Sequence, residues 1–264
     1  MTATRPTPAP SSLLVESVVF AGRLFTRWRR EPVVPIQALL FPTFLLITYD
    51  LLVGESVVRL TGTDSLYGLV PMCALAGGMF GALGAGFSVS FEREQGLVTK
   101  FWTLPVHRAS ALTGRLLAET ARTLLSTIFI TLVGLALGMR FQGSWWTIIP
   151  FLLVPVLVVM VFAMAVIGIS ARASNRTALT WLGTSSIGFV FASSGVPPIE
   201  LLPTVIQPIV RYQPIAPAIE SMRAFALGEA AWTPFLVTLA WVLVLSAIVA
   251  PWAVRGYRAA AEAS

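Results

Sequence analysis

The chain has 264 residues, of which 56% are apolar and only 11% charged, with a formal net charge of +6. Soluble domains run at about 45–50% apolar and about 25% charged, so these proportions exclude a soluble globular protein. They describe an all-α polytopic membrane protein with length for roughly six spans of about 20 residues each and no separate soluble domain. The basic residues are not gathered on one face with interleaved aromatics, which argues against a nucleic-acid surface, and a lone cysteine, Cys73, excludes an internal disulfide.

Residues 1–12 are rich in Pro, Thr and Ser and read as a flexible tail, with no cleavable secretory signal expected. Residues 13–31 read as an amphipathic helix, with Leu14, Val18, Ala21, Phe25 and Trp28 on one stripe and Glu16, Arg23, Arg27 and Arg30 opposite. That pattern suits a helix lying at the membrane interface; a water-exposed extension of the first span is the alternative. Pro32 and Pro35 then break the chain and turn it into the bilayer.

Residues 32–264 form the membrane domain, with spans expected near 33–53, 67–90, 112–139, 145–170, 177–194 and 232–254. Gly77, Gly78, Gly81, Ala82 and Ala85 in the second span, three and four residues apart, predict close helix packing. The third span starts with Arg115, Glu119 and Arg122 on one helix face, a start that protrudes from the membrane. Asp50 falls at the outer end of the first span, and the span cores are otherwise nearly free of ionisable groups. Six spans put both termini on one side. Arg59, Arg140, Arg211 and Arg223 fall on the opposite side and every other Lys and Arg on the terminal side, so both termini and the segment 91–108 are expected in the cytoplasm.

The external segment 196–231 carries six prolines yet stays apolar, which predicts short helices packed at the outer face. Segment 91–108, Phe91 to Arg108, holds the only lysine and the only histidine. Lys100 is followed by Phe101 and lacks the preceding glycine of a phosphate-binding loop, so the chain is not expected to hydrolyse ATP itself. One His and one Cys cannot build the usual zinc motifs, so neither a metal site nor a catalytic residue is expected. The run Gly183-Thr184-Ser185-Ser186-Ile187-Gly188 fails the spacing of a nucleophile elbow and reads as a packing helix.

Glu92-Arg93-Glu94 before Gly96, followed by Phe101, Trp102 and Leu104, reads as a short helix presenting aromatic anchors and charged rims to a protein groove, or else as a solvated loop. The stretch Phe91, Glu92, Arg93, Glu94, Gly96, Phe101, Trp102, Pro105, His107 and Arg108 resembles the cytoplasmic coupling region of ABC-2 type permeases, the membrane subunits of ATP-binding-cassette exporters. A second match lies in the external segment, at Pro197, Pro198, Glu200, Pro214, Glu220, Arg223 and Gly228. Leu104-Pro105-Val106-His107-Arg108-Ala109-Ser110 resembles the actinobacterial daunorubicin-resistance subgroup, some of whose mycobacterial members are linked to export of envelope lipids. The chain departs from that pattern after Gly96, where relatives often carry Thr-Leu-Glu and this chain has Leu97-Val98-Thr99.

The resemblance implies a permease subunit in the bacterial cytoplasmic membrane, pairing with a second permease, identical or homologous, and with two cytoplasmic ATPases that would carry ATP and Mg; the chain itself binds no cofactor. Segment 91–108 would transmit the ATPase movement, and the first and third helices, the former through Arg23, Phe25, Arg27, Trp28 and Arg30, would also touch the ATPases. Nearly uncharged spans favour a hydrophobic or amphipathic cargo, a lipid or a drug, and no substrate-path residue can be chosen. The alternatives are an ion-gradient-driven transporter and a non-transporting membrane scaffold.

Overall fold

A computed structural model describes residues 12–97, 107, 109–172, 177–191, 193, 204, 207–208 and 213–262. Eight α-helices lie among them, with no strand among the described residues: α1 Leu13–Arg30, α2 Val33–Thr61, α3 Leu66–Glu94, α4 Ser110–Leu137, α5 Ile148–Arg172, α6 Thr177–Phe191, α7 Ala216–Leu227 and α8 Trp232–Glu262. A 3-10 turn, Trp145–Thr147, leads into α5. Five helices are long and apolar enough to cross a membrane: Leu39–Leu60 within α2, α3, α4, Trp145–Arg172, and Trp232–Gly256 within α8.

The expected fifth span, 177–194, corresponds to α6, which is shorter. Its 15 residues rise about 22 Å, less than the roughly 30 Å of a hydrocarbon core. The first span, Leu39–Leu60, lies further along the chain than expected, because α2 continues past residue 53 to Thr61, where Gly62 at φ +69° caps it. Asp50 consequently lies well inside α2, accepting a hydrogen bond from the Ser65 hydroxyl (3.0 Å) just before α3 begins.

The helix α3 is the centre of the bundle, packed against α2, α4, α5, α6 and α7, with most of its length buried. Lipid tails are as apolar as leucine, so close approach in a bilayer depends on small residues. Gly78 of α3 receives Val159 and Thr123, Gly86 receives Val166, Gly134 of α4 receives Val70, Gly168 of α5 receives Trp252, and Gly183 of α6 receives Leu83. The outer helices α2 and α8 leave rows of apolar side chains exposed, among them Phe44, Leu51, Leu52, Leu243, Val244 and Ile248.

Of the segment expected to be external, α7 is buried on most of its faces against α3, α5 and α8. Pro217 lies in its first turn, where a missing N–H costs nothing. Gly228, at φ +75°, stops it and returns its N–H to the Ala224 carbonyl. The Ala226 carbonyl accepts from the N–H groups of Gln142 and Gly143, which fastens α7 to the connection after α4. Pro214, Glu220 and Arg223 are half-buried at this end. Pro197, Pro198 and Glu200 lie outside the described residues.

Candidate functional site: a buried ionic hub beside a cavity

The buried stripe of α3 runs through Ala82, Gly86 and Val89 and then continues to Glu92. A carboxylate on that stripe enters the interior with the helix, and a buried charge persists only with counter-charges. Glu92 is 1% exposed. One of its oxygens accepts from Arg23 of α1 at 2.9 Å, with Arg27 at 3.7 Å, and the other is paired with Arg115 of α4. Arg27 also donates to the Ser88 hydroxyl (3.2 Å). One carboxylate thus joins three helices.

Further along α4 a second pair is buried, Glu119 with Arg122. The Arg122 Nε donates to Glu119 (3.0 Å) and Nη2 to the Gly78 carbonyl (3.3 Å), whereas Nη1 has no partner. Gly81 makes the space: a Cβ there would overlap the guanidinium. The hydroxyls of Thr123 and Ser126 are also buried without a hydrogen-bond partner.

These charges border a cavity of about 580 Å³. Its polar side is Arg115, Glu119 and Arg122, with Arg27 and Glu31 at α1 and Gln37 from α2. Its apolar side is Leu24, Trp28, Phe80, Leu83, Phe87 and Phe91.

The orientation of α1 explains how Arg23 and Arg27 reach the hub. Glu16, Ser17 and Ala21 face inward, while Leu14, Val15, Val18 and Val19 face outward. The stripe expected from sequence is therefore split: Leu14 and Val18 point away from the protein and Ala21 points into it. The reason lies on α4, where Gly114 lets the α1 backbone approach and Thr113 pairs with the Ser17 hydroxyl at 2.5 Å. Phe25 and Trp28 meet edge to face with centroids 5.3 Å apart, and Arg30 is exposed.

The expected docking residues take different positions. Glu92 is turned inward, contrary to the expectation of a docking surface, because α3 stays helical through Glu94 and carries it along the buried face. Arg93 donates to the Ala171 carbonyl at the end of α5 (3.0 Å). Phe91 and Glu94 are exposed, and Gly96, at φ +68°, ends the helix with its N–H on the Arg93 carbonyl. The His107 N–H donates to Glu16 of α1 (2.7 Å), so the far end of the segment is also tied to α1. Phe101, Trp102, Pro105 and Arg108 lie outside the described residues.

Arg115, Glu119 and Arg122 do share one face, as their spacing predicts, but that face is interior. Glu92, Arg115, Glu119 and Arg122 are all buried between α3 and α4. The signal was present as three charges at helical spacing inside an apolar run, the usual mark of mutual pairing or function in a membrane.

A family model described as ABC-2 type transporter matches residues 17–227. The chain is 30% identical over 261 residues, 97% of its own length and 95% of the relative's, to the protein named "Probable doxorubicin resistance ABC transporter permease protein DrrC" of Mycobacterium tuberculosis. It is 25% identical over 258 residues, 95% of its length and 89% of the relative's, to the daunorubicin resistance ABC transporter permease protein DrrB1 of Streptomyces coeruleorubidus. A membrane-spanning helical bundle with a charged hub at one end, matched over most of its length by this model and these relatives, belongs to the ABC-2 type transporter family.

Proposed function

We propose that the chain is the permease subunit of an exporter that moves a hydrophobic or amphipathic molecule, a lipid or a drug, out of the cytoplasm or the inner leaflet of the bacterial cytoplasmic membrane. A permease of this family implies an ABC ATPase partner. In this reading two such ATPases bind ATP and Mg, a second permease, identical or homologous, completes the path, and both termini are cytoplasmic. Names that carry doxorubicin and daunorubicin resistance on the relatives support a drug-like cargo.

The observation that carries the proposal is the bonding of Glu92. It sits at the head of segment 91–108 and binds α1 and α4 at once, so a force applied to that segment moves three helices instead of one. Coupling of this kind needs two global states that nucleotide and substrate favour differently. Arg93 extends the linkage to α5. On this basis an ATPase co-purifies with the chain, and Glu92→Ala or Arg93→Ala leaves the complex assembled while hydrolysis continues without transport. Normal transport by both variants would sink the assignment.

A gradient-driven transporter acting alone gains one point from the buried carboxylates, since proton carriers hold such groups in the membrane. Glu119 and Glu92 are each already committed to an ion pair with arginine, which opposes the role of a free carrier group. Proteoliposomes containing only this chain and a proton gradient decide between the two: substrate movement there would favour the gradient reading.

A further inference from the structure

The cavity beside the hub offers a ligand no free ion. Arg27 is held by Glu92 and Glu31, Arg115 by Glu92, and Arg122 by Glu119. A charged ligand would give up its solvation without finding a vacant counter-charge, so the cavity selects an uncharged one. One hydrogen-bonding position does remain. Both bonds that Arg122 makes to Glu119, through Nε and Nη2, fall on Oε2. The other oxygen, Oε1, receives none among the described residues and is not enclosed by the packing, and Glu119 stands on the lining. A carboxylate oxygen so placed is an acceptor, and its complement on a neutral molecule is a hydroxyl.

The α3 wall of the cavity is aromatic. Phe80, Gly84, Phe87 and Phe91 stand at i, i+4, i+7 and i+11, one face of the helix. All three rings are partly exposed. A Cβ at Gly84 would meet nothing within 4 Å, so the glycine floors a slot between Phe80 and Phe87, which are two turns or about 10 Å apart along the axis. A flat ring system in that slot meets both phenyl groups in the offset or edge-on contacts that aromatic pairs prefer. Leu24 and Trp28 add the α1 wall, and the volume of about 580 Å³ is that of a site for a drug-sized molecule. An acyl chain would use the apolar walls and leave the acceptor idle. A neutral aromatic molecule with a hydroxyl uses both.

We propose that this cavity, contained within a single copy of the chain, binds a neutral polycyclic aromatic molecule, its rings against Phe80, Gly84 and Phe87 and its hydroxyl donated to Glu119. That this molecule is cargo rests on the export function proposed above; binding itself requires neither the ATPase nor transport.

The test uses the full chain, purified in mild detergent with whatever subunits accompany it and titrated with 1-pyrenemethanol, pyrene, 1-pyrenemethylammonium or 1-pyrenecarboxylate, with bound molecules counted by native mass spectrometry. One 1-pyrenemethanol per chain is expected, held roughly tenfold more tightly than pyrene, the effect of one hydrogen bond to a charged acceptor, and more tightly than either ion. Gly84→Phe fills the slot and should abolish binding of the alcohol and of pyrene alike. Glu119→Leu combined with Arg122→Met removes the acceptor and its counter-charge together, and should leave pyrene bound while erasing the advantage of the alcohol. Circular dichroism and thermal unfolding establish that the variants are folded, and Gly84→Phe, at a position with open space, keeps the test decisive should the double variant fail to fold. Equal binding of the alcohol and pyrene would overturn the proposal, as would tighter binding of either ion or binding that survives Gly84→Phe. Displacement of the alcohol by dioctanoyl phosphatidylcholine would give the cavity to bilayer lipid and overturn it too. The cargo assignment is read separately, on the ATPase complex in vesicles: ATP-driven movement of 1-pyrenemethanol that stops in Gly84→Phe supports it, and movement that Gly84→Phe leaves unchanged overturns it. A complex that moves no compound with ATP would count against the export function, with the binding result standing on its own.

Discussion

Glu92→Gln keeps the size of the side chain and removes its charge, leaving three arginines without their shared carboxylate. Their responses differ with exposure. The side chains of Arg23 and Arg27 are 41% and 39% exposed and can turn to water, at a cost of about 0–1 kcal/mol each, as for surface pairs. The Arg115 side chain is 7% exposed, and among the described residues its only ion-pair partner is Glu92. Stranding a buried charge in this way costs about 3–5 kcal/mol. At roughly 2–4 °C per kcal/mol for a chain of this size, the thermal midpoint should fall by about 6–20 °C. Arg115→Met is expected to cost less, about 1–2 kcal/mol, because Glu92 keeps Arg23 and Arg27. The double variant Glu92→Gln/Arg115→Met should recover most of the loss, since neither partner is then left buried and charged. Thermal unfolding in one detergent, followed by tryptophan fluorescence, measures all three. A fall below about 2 °C for Glu92→Gln, equal costs for the two single variants, or strict additivity in the double would each refute the hub.

Two further predictions concern α1 and orientation. Gly114→Leu puts a Cβ 2.5 Å from that of Phe20 and 2.8 Å from the Ser17 carbonyl oxygen, and backbone cannot yield cheaply, so α1 should lift at a cost of about 1–3 kcal/mol and trypsin should cleave at Arg23 and Arg27 sooner; an unchanged cleavage rate would contradict the packing described. Cys73 is fully buried, so it can stay in place while Arg59→Cys and Arg29→Cys are tested on intact cells with a membrane-impermeant maleimide. Arg59→Cys should label and Arg29→Cys only after permeabilisation; the reverse pattern would put segment 91–108 outside, out of reach of a cytoplasmic ATPase.

The helices were legible because hydropathy and length are local properties. Residues 67–90, 112–139 and 145–170 fall within or close to α3, α4 and the helix ending at Arg172. Errors came where local signals compete. The end of α2 was placed too early because Gly54 and Glu55 lower the hydropathy of a helix that nevertheless runs on to Thr61. The stripe read on α1 is split because periodicity divides a helix into apolar and polar sides but does not say that Ala21 turns to the protein while Leu14 and Val18 stay outside. Glu92 was misjudged for a similar reason. A charge near a span end either reaches water or pairs inside, and the choice depends here on Arg23, 69 residues away in sequence. Arg122 and Gly81 belong to the same class, since only the tertiary structure shows a glycine making room for a guanidinium.

The hub also imposes an order on biosynthesis. The chain is made from its N-terminus, so Arg23 and Arg27 exist before Glu92, and Arg115 follows it by 23 residues. When α3 enters the membrane its carboxylate already has two possible counter-charges on α1, the helix whose outward valines and leucine can rest in lipid. The partner that makes the hub rigid comes last. In the finished protein α1 therefore holds Glu92 from one side, and in the growing one it supplies the charge that lets Glu92 wait for Arg115.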